Sequence, residues 1–127
     1  MNADETVLNL RSERVIGCAF RVANTLGCGF LEKVYENALA HELRLAGLNV
    51  DQQRGVAVVY DGVIVGEYVV DLLVEKEIVI ELKSVRALDN NHSAQCLNYL
   101  RATGLHLCLL LNFGKPRLEI RRLALGL

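Results

Sequence analysis

Between Glu13 and Leu26, apolar residues recur at 15, 16, 19, 20, 22, 23 and 26, the three-and-four spacing that gives a helix one apolar face. Ser12 can accept from the free N–H groups of a first turn, and Gly27 can adopt the left-handed conformation that ends a last one, so these are the expected caps. A second amphipathic helix is expected over about 31–46, with Leu31, Val34, Tyr35, Ala38, Leu39 and Leu45 as its apolar stripe and Gly47 as its stop. Gly27-Cys28-Gly29 forms the turn between them.

From Gly55 the period becomes that of strands. Residues 55–60 and 63–74 flank Asp61-Gly62, a pair suited to the type I′ turn of a hairpin, and Glu75-Lys76-Glu77 closes a second hairpin into 78–85. The near-continuous Val, Ile and Leu of the second and third strands predicts burial on both faces, which requires a helical layer. Helical spacing returns over 88–103 through Leu88, Ala94, Leu97 and Leu100 and ends at Gly104. Residues 105–113 read as a short buried strand, and 117–123 alternate apolar with charged residues as an edge strand does. The order is ααβββαββ, an α/β (α+β) fold in one domain over 1–127, with no internal repeat or linker.

Composition agrees with that economy. In 127 residues a 52% hydrophobic fraction supplies one core without a disulfide or structural metal, and a single Pro with no low-complexity tract argues against disorder. A net charge of −1 gives no general attraction to nucleic acid or to an anionic membrane. The balance is uneven, however: −3 over 55–87 and +3 over 88–127. Cysteines at 18, 28, 96 and 108 fit neither a zinc nor an iron–sulfur spacing and read as small buried apolar residues in a reducing compartment. The first ten residues hold two acids and no base, and no apolar run approaches the about 20 residues of a membrane span. Neither signal peptide nor membrane segment is expected, and the expected location is cytoplasmic.

Three charges interrupt this apolar pattern. Asp71 lies inside one apolar strand and Glu81 and Lys83 inside the next, where uncompensated charge is expensive to bury. Glu81 and Lys83, two apart, share a face, and a loop centred on Lys76 sets Asp71 opposite Glu81, because the two are equidistant from it. Two carboxylates and an ammonium then converge. Hard carboxylate oxygens suit a Mg²⁺ ion that keeps several of its waters, and an ammonium beside them can orient water or offset charge on a phosphorane. The same residues would also serve as a cross-strand salt bridge on a solvated face, and the register alone leaves both readings standing.

Polar residues at helical spacing add to the pattern. Gly29-x-x-Glu32-x-x-Tyr35 places Glu32 and Tyr35 one turn apart, Gln95-x-x-x-Tyr99 places Gln95 and Tyr99 on one helical face, and His92 stands a turn before Gln95, where it would reach the same site. In this order, around a meander flanked by helices, the set resembles the PD-(D/E)XK nuclease superfamily, and within it the small GxxExxY family. The resemblance runs from the first helix through Asn112-Phe113-Gly114; Val70 stands where the superfamily often has Pro. It implies a restriction-endonuclease-like core with a central mixed sheet. It further implies Glu32, Asp71 and Glu81 as ligands of Mg²⁺ or Mn²⁺, with Lys83 catalytic. Gln95 and Tyr99 match the element that borders the active site of RecB-like nucleases. The implied activity is metal-dependent phosphodiester hydrolysis, on DNA rather than RNA; the alternative is a non-catalytic binding or assembly module of the same fold.

The remaining polar residues have plainer expectations. Tyr35 and Tyr99 are either core rings or substrate contacts. Glu36 and Glu42 read as solvated helix charge, His41 as surface, and His106 as a core or interface histidine. Lys115, Arg117, Arg121 and Arg122 form a basic cluster, either a solvating edge or a phosphate-binding strip. An edge strand pairing with its own copy would make a homodimer.

Overall fold

A computed structural model describes residues 3–127. The elements are α1 (Ala3–Leu26), α2 (Glu32–Leu45), β1 (Val50–Tyr60), β2 (Val63–Val74), β3 (Ile78–Lys83), α3 (Asn90–Thr103), β4 (Leu107–Asn112) and β5 (Glu119–Ala124), in the expected order ααβββαββ. The five strands lie in the order β1-β2-β3-β4-β5, antiparallel except for the parallel pair β3/β4 that α3 connects. Helices cover both faces. One core joins Leu72, Ile80, Leu82 and Leu109 to α1 and α2; the other joins Leu73, Val79, Cys108 and Leu110 to α3.

α1 begins ten residues before the expected start. Leu8, Ser12, Val15, Ala19 and Val22 form one buried stripe at three-and-four spacing, and Asp4 and Glu5 suit the positive end of the helix dipole. Ser12 therefore lies inside the helix, its hydroxyl bonded back to the Asn9 carbonyl, and caps nothing. α2 runs antiparallel to α1, held by Arg21 on Glu42 and by Arg14 on the Ala46 carbonyl. Its buried residues are Tyr35, Glu36, Leu39, Ala40 and Leu43, whereas Leu31 and Leu45 of the expected stripe are exposed. The true face is rotated because Leu43, not Leu45, continues the spacing from Leu39. Gly47, in the left-handed region, ends α2 with Leu48 N–H on the Leu43 carbonyl, a Schellman motif.

β1 starts at Val50, five residues before its apolar run. Asp61 and Gly62 both take positive φ, as a type I′ turn requires. Glu75 and Lys76 do likewise at the second hairpin, whose ladder Val74↔Ile78, Leu73↔Val79, Leu72↔Ile80 has the register expected of a loop centred on Lys76. β2 is buried only over its second half. Val63, Ile64, Val65, Tyr68 and Val69 are exposed, because β3 is six residues long and leaves the distal hairpin without a neighbouring strand. α3 starts after Asp89 and ends at Gly104, burying Cys96, Tyr99 and Leu100 while Ala94 faces out. β5 is an edge strand as expected. Cys28 is exposed, contrary to its buried reading, and His106 is exposed, contrary to the core alternative of its reading; the His106 ring is held at the surface by the Leu125 carbonyl, 2.8 Å away.

Candidate metal and nuclease site

β2 and β3 separate just beyond the Leu72↔Ile80 pair, and side chains take over from the ladder there. The Asp71 N–H donates to Glu81 Oε1 at 3.0 Å, and the Leu82 N–H donates to Asp71 Oδ2 at 2.8 Å. Each carboxylate thus binds the backbone of the opposite strand, which fixes both and leaves Glu81 Oε2 without a hydrogen bond among the described residues. Lys83, two residues on, forms no salt bridge among the described residues.

The second strand's alternation breaks at this point. Val70 and Leu73 both join the core on the α3 side, although strict alternation would place them on opposite faces. Gln53, which faces Asp71 across β1 and β2, has a φ of 52°. That left-handed kink lets two consecutive side chains turn the same way: Gln52 Nε2 reaches Glu36 Oε2 at 2.9 Å and Gln53 Nε2 reaches Glu36 Oε1 at 2.7 Å. Gln53 Nε2 also lies 3.4 Å from Asp71 Oδ1, and Lys33 Nζ lies 2.9 Å from Glu36 Oε2. Glu36, expected to be solvated, is 3% exposed and saturated with donors. It is a site residue that periodicity alone missed. The signal was its place four residues after Glu32, one turn further on the same face.

Electrostatics bind these groups into one cluster. Burial, then the charge of Asp71, push the Glu81 carboxyl up to about 9. Burial raises Asp71 as well, with Glu36 adding to it and the Leu82 N–H opposing. Glu32, at the outer rim, is raised by partial burial and then by Asp71, with Lys83 pulling the other way. Tyr99 packs edge-to-face on Tyr68, and its hydroxyl is driven upward by burial and by the charges of Glu81 and Asp71. The structure therefore brings together Glu32, Glu36, Asp71, Glu81, Lys83 and Tyr99.

Other residues do different work. Tyr35 stacks on Phe113 at 4.8 Å, donates to the Gly27 carbonyl at 2.6 Å and accepts the Phe30 N–H at 3.1 Å, so it is the core pin that sets where α2 begins. His92 Nδ1 accepts the Asp89 N–H while Asp89 accepts from His92 N–H, a reciprocal cap. Gln95 is half-buried on α3 and makes no side-chain hydrogen bond among the described residues. Arg121 is fastened to the Leu88 and Asp89 carbonyls and Ser93, and Arg122 to Asn9. The expected basic strip thus reduces to Lys115 and Arg117.

The donor set is chemically suited to a divalent cation: several carboxylates, raised by burial and mutual repulsion, face one ammonium. Among the described residues, no three His, Cys, Asp or Glu side chains already surround a common point. No described helix is long and apolar enough to cross a membrane.

A family model described as the PD-(D/E)XK nuclease superfamily matches residues 9–123. No curated protein matches the chain. Among solved structures, the one titled "Crystal structure of SSO0001" aligns with a TM-score of 0.52 at 18% identity, over 75% of this chain and 50% of the other. That likeness is one of fold, and the chain spans about half the length of that structure.

Proposed function

Because the chain belongs to the PD-(D/E)XK nuclease superfamily, we propose that it is a metal-dependent nuclease that hydrolyses phosphodiester bonds in DNA. The observation that carries this reading is the meeting of Asp71, Glu81 and Lys83 where β2 parts from β3, with Glu32 at the rim. The Gly29-x-x-Glu32-x-x-Tyr35 run supports a place in the small GxxExxY family. Four unpaired cysteines suit the cytoplasm.

Glu32, Asp71 and Glu81 would hold Mg²⁺ or Mn²⁺, which when bound supplies a more acidic water and offsets charge on the phosphate. The chain's own residues do the rest. The Leu82 N–H on Oδ2 and the Gln53 amide on Oδ1 fix the Asp71 carboxylate, and the Asp71 N–H on Oε1 fixes that of Glu81, so Asp71 would offer the further lone pairs of its oxygens and Glu81 its Oε2 without rotation. Lys83, in no salt bridge among the described residues, is available to orient a water and to offset the charge that develops on the phosphoryl oxygens. Glu36, gripping Gln52, Gln53 and Lys33, holds β1 against α2 and so sets the depth of the site. Tyr99 and Gln95 lie on the α3 side, where a nucleotide would pass.

The non-catalytic module is favoured by one observation, the lack of a ready three-donor arrangement. Calorimetric titration with Mg²⁺ and Mn²⁺, followed by cleavage of single- and double-stranded DNA and RNA, separates the two. Nuclease action requires binding that Glu81→Ala abolishes and DNA cleavage that Lys83→Ala abolishes while sparing the binding. Metal binding without cleavage by the wild type would establish the module. Cleavage surviving both substitutions would refute the assignment.

A further inference from the structure

The β1–β2 hairpin extends past the end of β3, and the row of residues that faces α3 continues along it beyond the core. In that row Val56 pairs with Tyr68 and Val58 with Gly66. The face therefore steps from a buried valine to a tyrosine 46% exposed, and then to bare backbone. A Cβ placed on Gly66 would meet nothing within 4 Å. Between hairpin and helix this step leaves a cavity of about 410 Å³, bordered by Val58, Val59 and Tyr68 on one wall and by Asn98, Arg101 and Ala102 on the other. The break in register between Val58 and Val59 brings two consecutive residues to its border. Its volume is that of a small-ligand site.

The polar groups at this cavity are of one kind. No carboxylate borders it among the described residues. Arg101 Nη1 donates to Asn98 Oδ1 at 2.9 Å, and Arg101 forms no salt bridge among the described residues. That bond occupies the oxygen of the Asn98 amide and leaves its Nδ2 as a donor. Tyr68 meets Tyr99 edge to face at 5.7 Å, and whichever ring gives its edge, at least one face of Tyr68 is left free by the contact. An open aromatic face, a guanidinium without a counter-ion and an amide donor can take a base by its π-face, a phosphate and a base carbonyl. The cavity also adjoins the carboxylate site. Tyr99, which packs on Tyr68, feels the charges of Glu81 and Asp71 at its hydroxyl. Tyr68 precedes Asp71 by three residues, about 10 Å along a strand, or within about three nucleotides of a stacked chain.

We propose that this cleft binds one unpaired nucleotide of the strand whose phosphodiester lies at the Asp71–Glu81 site, with the base on Tyr68 and a phosphate on Arg101. The proposal rests on the nuclease reading and adds the substrate class to it. A base inside a duplex has both faces covered by its neighbours, so only a single strand, a frayed end or an extruded base can enter. An acidic peptide could pair with Arg101 but would leave the Tyr68 face unused.

The test is the fluorescence anisotropy of an end-labelled single-stranded DNA with a chelator present, so that neither metal binding nor cleavage enters the result. Tyr68→Leu should weaken binding about tenfold and Tyr68→Phe should restore it, because the ring and not the hydroxyl carries the stacking. Gly66→Val, a favourable strand residue that fills the cleft without touching Tyr68 or Arg101, should weaken it by a similar factor. Arg101→Ala should flatten the slope of log K against log salt by about 0.7, the share of one phosphate on a single strand. Arg21→Ala, the same change of charge on α1 across the sheet, should leave the slope unaltered. Circular dichroism verifies folding of each variant. A measurement independent of mutation is photocrosslinking of an iodouracil-substituted strand, which mass spectrometry should locate at Tyr68. Strand binding that depends on Tyr68 upholds the cleft even where Mg²⁺ brings no cleavage, the result that would defeat the nuclease reading instead. Wild-type strand affinity in both Tyr68→Leu and Gly66→Val would overturn the proposal, whether or not those variants cleave. So would a blunt duplex or a polyglutamate peptide bound as tightly as the single strand, or crosslinks confined to residues outside the cleft.

Discussion

Glu81 shows how one residue can be costly for stability and useful for chemistry. Its carboxyl, pushed up to about 9 by burial and by Asp71, keeps a proton in the metal-free fold that the unfolded chain gives up near the ordinary value of 4.5. The sign follows directly. The contribution is fully present below the unfolded value and is lost as pH rises toward 9, so metal-free stability should fall across that window; the upward shifts of Asp71 and Glu32 act in the same direction. Glu81→Gln keeps an oxygen for the Asp71 N–H and removes the ionisation. It should stabilise the metal-free protein at about pH 8 by roughly 1–3 kcal/mol, with little effect near pH 5, as read by urea denaturation with a chelator present. A variant no more stable than wild type at the higher pH would show that solvent reaches this carboxylate. Glu36 is the contrasting case: it is equally buried but has three donors on its oxygens. Glu36→Leu should therefore destabilise by about 1 kcal/mol through the hydrogen bonds it removes, since Lys33 and Gln53 are exposed enough to turn to water and only Gln52 is half-buried.

At the scale of elements, the loops carry as much of the design as the strands. Gly114 follows β4, and a Cβ there would stand 2.4 Å from the Val85 backbone nitrogen and oxygen, so only glycine lets the β4–β5 loop lie against the segment leaving Lys83. The fully buried Asn112 stitches the same segment, accepting the Val85 and Gly114 N–H groups and donating to the Val85 carbonyl and Glu119. Gly114→Ala must push backbone against backbone. An expected loss of about 2–4 kcal/mol in thermal or urea unfolding measures it, and a shift below about 0.5 kcal/mol would mean that the loop moves freely.

The elements themselves were largely legible because period and turn chemistry agree: Asp61-Gly62, Gly47 and Gly104 each mark a real end. The start of α1 was not, since Ser12 looks like a cap in isolation and fits the Leu8–Val22 stripe only when the helix is extended through it. The register that joins Asp71 to Glu81 could be read from loop symmetry, but the polar run Asp51-Gln52-Gln53-Arg54 carries no apolar alternation. Its role depends on a left-handed residue facing Asp71, a tertiary fact.

For the whole molecule, the site is a place where folding and ligand binding are linked. The metal-free fold holds Glu32 and Asp71 near each other's charge and keeps a proton on Glu81, with Lys83 offsetting part of the repulsion, so a divalent cation that binds the three displaces that proton and relieves a cost which the unfolded chain, with its acids apart, does not suffer. A ligand specific to the folded state stabilises by RT ln(1 + [L]/Kd), about 2.7 kcal/mol at a hundredfold excess over Kd. At this chain length that amounts to several degrees in Tm. Mg²⁺ or Mn²⁺ should therefore raise the Tm of the wild type with increasing concentration, while Ca²⁺ and salt of equal ionic strength serve as controls for coordination and for screening. Glu81→Gln, although more stable without metal, should lose most of the increment, so the two melting curves converge as metal is added. Lys83→Ala should retain or enlarge it, since removing the ammonium removes a competitor for the same carboxylates. An increment equal in wild type and Glu81→Gln would place the cation elsewhere on the protein, and identical shifts with Mg²⁺ and with salt would reduce it to general screening.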